Sequence, residues 1–113
     1  MKQEEWFRQH AGKYRLVKMI IGENDCSQAY AKGWEDKSLY MVIEITGEGK
    51  FSLKAHTAAA EKEHTYFFDP TEMKYHLKED RSDKGTPITI ENGVLTEEAP
   101  DHLMEYVLTD ELD

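Results

Sequence analysis

Three of the five histidines, the one cysteine and several close carboxylates are residues whose types and spacing could do chemistry. His56, His64 and His76 fall on three successive alternating segments, and imidazoles on neighbouring strands can hold a zinc ion when they share a face. Parity argues against that. His64 shares its face with Tyr66 and Phe68, whereas His56 and His76 alternate opposite to Phe51, Leu53, Tyr75 and Leu77. None has the short His-x-His spacing of a preassembled site, so all three read as surface histidines and no metal is expected. Cys26 lies in a polar stretch with no base spaced to activate it as a nucleophile, and it reads as an incidental thiol. The pairs Glu61/Glu63 and Glu97/Glu98 read as solvated edge charges. With no glycine-rich phosphate loop, no nucleophile–base–acid order and no calcium-loop spacing, catalysis is not expected and nothing points to a cofactor.

The apolar residues say more, because they alternate. Around Gly47-Glu48-Gly49, a hairpin signal, Met41, Ile43 and Ile45 alternate with Val42 and Glu44, and Phe51, Leu53 and Ala55 alternate with Ser52 and Lys54. His64, Tyr66 and Phe68 lead to the turn Asp69-Pro70, after which Met73, Tyr75 and Leu77 alternate. Asn92-Gly93 joins Ile88 and Ile90 to Val94-Leu95-Thr96, and 103–108 forms the last strand. The first strand starts after Gly12 and is apolar on both parities toward its end, with Tyr14, Leu16 and Ile20 on one and Val17, Met19 and Ile21 on the other.

Between 22 and 38 alternation lapses. A short turn from Ser27, stopped by Gly33, is expected there, and the stretch as a whole reads as a long loop carrying Trp34. Residues 57–62 are alanine-rich and read as a helical turn or a loose connection. The polar run 78–85 reads as an exposed loop, and the acidic tail 110–113 as frayed. Residues 4–10 make one or two helical turns in which Trp6 and Phe7 plug one end of whatever the strands enclose.

Eight alternating segments with hairpin-length links and no long amphipathic helix predict an all-β fold, an eight-stranded antiparallel up-and-down barrel; an open sandwich is the structural alternative. It forms one domain, with the N-terminal turn over 1–11 and the barrel over 12–109. Tyr14, Leu16, Met41, Ile43, Phe51, Leu53, Tyr66, Phe68, Met73, Tyr75 and Ile90 are the candidates for its interior.

The 113 residues are 39% hydrophobic and 11% aromatic, enough for a core. Their 14 Lys and Arg against 23 Asp and Glu give a net charge of −9, which disfavours nucleic acid and anionic lipid as partners. No run approaches the roughly 18 apolar residues of a membrane span. One cysteine and a first segment without an apolar stretch lead to the expectation of a cytoplasmic protein.

Gly12-Lys13-Tyr14-Arg15-Leu16, directly after a short Trp-containing turn, resembles the opening of lipocalin-like (calycin-type) barrels, which carry Gly-x-Trp there; Tyr14 occupies the Trp position. It is similar to small bacterial lipocalin-like domains that open Gly-Lys-Tyr-x-Leu, continue through a glycine turn such as Ile45-Thr46-Gly47-Glu48-Gly49, and finish on a pair like Ile88 to Thr96. The resemblance runs from about Gly12 to Leu108. It implies a binding module for a small apolar or amphipathic ligand in the barrel mouth near 22–38. The inward parity gives that mouth its candidate lining, Tyr14, Met41, Phe51, Tyr66, Phe68 and Tyr75, and Trp34 reads first as a cap on the core, with a lid over the mouth or a partner contact as alternatives. The alternative is a solid-core barrel that acts as a protein-interaction or inhibitor-like module through 22–38 and 78–86.

Overall fold

A computed structural model describes residues 3–77 and 84–109. Its elements are α1 (Gln3–His10), β1 (Gly12–Ile21), β2 (Asn24–Asp25), α2 (Ser27–Asp36), β3 (Tyr40–Ile45), β4 (Phe51–His56), β5 (Glu61–Asp69), β6 (Lys74–Leu77), β7 (Thr86–Glu91), β8 (Val94–Ala99) and β9 (His102–Thr109). Eight of these strands form the predicted closed antiparallel barrel in the order β1-β3-β4-β5-β6-β7-β8-β9, with β9 paired back onto β1 from Lys13↔Thr109 to Ile21↔His102. The ninth, β2, is a two-residue addition that folds back on the end of β1.

The local chemistry of the turns sets this register. Asn92 and Gly93 both have positive φ, 53° and 78°, the backbone that a two-residue hairpin with right-handed strand twist demands. Residues 57–60, expected as a helical turn or loose link, are instead a hydrogen-bonded hairpin. The Thr57 N–H donates to the Ala60 carbonyl at 2.8 Å and the Thr57 hydroxyl accepts from the Ala60 N–H at 3.1 Å. A threonine side chain that satisfies the turn's own donors outweighs the helix preference of three alanines.

In β1 the register slips between Leu16 and Lys18 against β9. This bulge moves the inward parity by one residue, so Tyr14 and Leu16 and then Met19 are all buried. It explains why the segment is apolar on both parities. All eleven interior candidates belong to the core or pack against it. Trp6 and Phe7 close one end, with the Trp6 ring stacked on Phe68 at 4.4 Å between centroids. The helix α1 is thus the plug expected from the sequence: Trp6 and Phe7 are 4% and 7% exposed.

The stretch 22–38 departs from expectation. It is a hairpin with β2 followed by a ten-residue helix that runs through Gly33 and stops at Lys37. Lys37 takes a left-handed φ of 56°, and the Ser38 N–H returns to the Gly33 carbonyl at 3.0 Å. Gly33 is there for contact: a Cβ at that position would fall inside the carbonyl oxygen of Leu39. Among the described residues no helix is long and apolar enough to cross a membrane. The run 78–83 and the tail 110–113 lie outside the described residues.

Candidate functional site

The closed end and the opposite end of the barrel differ in how completely their inward side chains are covered. Ile43, Ile45, Phe51 and Phe68, near α1, are each at most 4% exposed. Met41, Leu53, Tyr66, Tyr75 and Met104 share the inward face yet are only half-buried. Rings line this face in succession. Phe51 stacks on Phe68 at 5.2 Å and on Tyr75 at 5.2 Å, and Tyr75 meets Tyr66 edge-on at 4.9 Å.

In β8, Leu95, Glu97 and Ala99 point inward, and Glu97 is a carboxylate only 5% exposed. The pair Glu97/Glu98 reads in the sequence as solvated edge charge, but Glu97 is buried. Because Leu95 is core and side chains alternate, Glu97 must point the same way. The Tyr75 hydroxyl donates to its Oε1 at 2.5 Å, and His102 Nε2 meets its Oε2 at 2.6 Å. His102 Nδ1 meets Asp101 Oδ1 at 3.1 Å, so both ring nitrogens face carboxylates. Burial works against a charge on His102, but the hydrogen bonds and negative fields of Glu97 and Asp101 outweigh it, and its pKa lies above the ordinary 6.5.

Tyrosines surround this carboxylate. Burial, followed by the field of Glu97, raises the pKa of Tyr66, Tyr75 and Tyr106; Tyr106 also feels Tyr30 and Tyr66. Tyr30, contributed by α2, is raised by burial and by its neighbour Cys26. All four hydroxyls therefore stay protonated, as donors, through neutral pH. Tyr75 spends its proton on Glu97, and Tyr106 reaches only the Met104 sulfur at 3.6 Å. Among the described residues Tyr30 and Tyr66 make no hydrogen bond and no buried side-chain polar atom lacks a partner, so both hydroxyls are reached by solvent.

The predicted site residues divide. Met41, Phe51, Tyr66, Phe68 and Tyr75 come together on the inner wall. Tyr14 is inward but belongs to the plugged end, where its hydroxyl donates to the His10 carbonyl at 2.7 Å. Trp34 is not a lid. It is 6% exposed, edge-on to Tyr40 at 5.5 Å, with Arg15 at 4.9 Å and Lys37 at 3.4 Å from its ring centre. Arg15 and Tyr40 are on the outward parity, so Trp34 fixes α2 to the outside wall through packing and cation–π contacts.

Sequence reasoning also missed His102, beside the Pro100 break, and misplaced His76. His76 is 4% exposed on the outer parity, with Gly85 so close that a Cβ there would meet the imidazole at 2.6 Å. His56 stacks on Tyr40 and pairs with Glu61 at 2.9 Å. Among the described residues no three His, Cys, Asp or Glu side chains are placed to hold a metal ion. The larger clefts, about 470 and 480 Å³, lie beside α1 and α2 and are not lined by Glu97; one of about 180 Å³ opens beside His102. Compared with protein-family models, with curated proteins and with solved structures, the chain matches none.

Proposed function

We propose that this chain is a lipocalin-like, non-enzymatic binding module that takes a small amphipathic molecule at the α2 end of its barrel. One observation carries this reading: a buried carboxylate, Glu97, set among inward tyrosines of which two keep unbonded hydroxyls. A core that only had to pack would do without it, since removing a charge from water costs several kcal/mol unless paired. Here the pairing uses Tyr75 and His102, while Tyr30 and Tyr66 are left to donate elsewhere. The aromatic ring succession and the methionines supply an adaptable apolar wall for the rest of the molecule. The interaction-module alternative loses support because Trp34, its proposed contact, is spent on the barrel wall.

Trp6 is the natural reporter, being stacked on Phe68 of the inner wall. In a Trp34→Phe variant, Trp6 is the sole indole. Titration with retinoids, fatty alcohols and haem is expected to give a saturable change in its emission, with a matching rise in Tm. At a ligand concentration of 100 Kd the stabilisation is about 2.7 kcal/mol. Silence in both signals across all three classes overturns the reading.

A further inference from the structure

We infer that the polar head taken at Glu97 is an organic cation, a protonated amine, and not a carboxylate. This rests on the binding reading above and names the ligand class of that site. Apart from tyrosine hydroxyls and the Cys26 thiol, the ionisable groups that the described residues place on the buried and half-buried inward face are Glu97 and His102. No lysine or arginine is among them; Lys62 and His64 share the inward parity but are exposed toward the β4–β5 turn. A fatty acid entering this end would set its carboxylate against Glu97 with no lysine or arginine placed there among the described residues to receive it, and with both nitrogens of His102 already facing carboxylates. Like charges this close in a poorly solvated site are strongly unfavourable.

An ammonium finds the opposite. Glu97 offers about four lone-pair directions, of which Tyr75 and His102 take two. Even a protonated His102 does not cancel the charge, because one imidazolium then faces two carboxylates, Glu97 and Asp101. The hydroxyls of Tyr66, Tyr75 and Tyr106 lie within the field of Glu97, which places aromatic side chains beside the carboxylate where an ammonium would sit. The net charge of −9 favours the approach of cations and repels anions.

Octylamine, octanol and octanoate share one apolar body and differ in head charge at pH 7. Measured by isothermal titration calorimetry on the full chain, octylamine is expected to bind at least about tenfold more tightly than octanol, with octanoate weakest. Glu97→Gln should bring octylamine to the octanol level, while Glu98→Gln, on the exposed parity, should leave the preference intact. Octanoate binding as tightly as octylamine overturns the inference, as does an amine preference that survives Glu97→Gln. If that variant does not fold, the order of the three probes on the native chain decides alone. If none of the three binds, the binding reading itself fails, which is a different result from binding in the wrong order.

Discussion

His102 sits at the boundary between a buried carboxylate and an exposed one, and this makes it a pH-sensitive part of the fold. Its folded pKa is raised above the ordinary 6.5 because Glu97 and Asp101 both hold the protonated ring, against the cost of burial. The stability it contributes is therefore complete below the unfolded value and is lost as pH rises through the folded one. Melting temperature is expected to fall as pH is raised across neutrality, and His102→Gln should remove that dependence; an unchanged slope in the variant refutes the assignment. Glu97 was legible in principle, since Leu95 fixes the parity of β8, but its neighbour Glu98 made the pair look like solvent-facing charge. The partner His102 was not legible. It lies 27 residues along from Tyr75, and only the folded sheet brings both to one carboxyl group.

At the scale of elements, strands were easier to read than the segment between the first two long ones. Alternation is a local, period-two signal, so 40–45, 51–56 and 88–96 could be placed from residue order alone. The helix α2 has no such mark, because its apolar residues serve two surfaces: Tyr30 faces the barrel interior and Trp34 the outside wall. Gly33 looked like a stop and is instead the point where the helix touches the returning chain. Gly33→Ala is expected to destabilise the protein by about 1–3 kcal/mol through overpacking against Leu39. Amide exchange should quicken in α2 and leave the barrel strands protected. An alanine variant as stable as the parent would mean the close approach is not maintained in solution.

At the scale of the whole molecule, the closed barrel buries one interior that is stoppered at a single end. Trp6 is 4% exposed and contacts Phe7, His10 and Phe68, so Trp6→Ala removes the centre of that stopper. Its cost is expected to be about 3–5 kcal/mol, checked by denaturant unfolding, in line with truncating a large core aromatic. A loss below 1 kcal/mol would show that α1 is not part of the cooperative core. Closure was readable because eight alternating segments with short links leave few other ways to hide a sheet's edges. The pairing that achieves it joins the first long strand to the last, Lys13 with Thr109. During synthesis the hairpins from β3 to β5 have their partners as soon as they leave the ribosome. β1 finds β3 early along 12–15, but its other edge must wait for nearly the entire chain, and until β9 emerges its inward row of Tyr14, Leu16 and Met19 has no finished wall to join. The nascent barrel thus carries an open seam, and this is the stage of its life at which a chaperone would matter most.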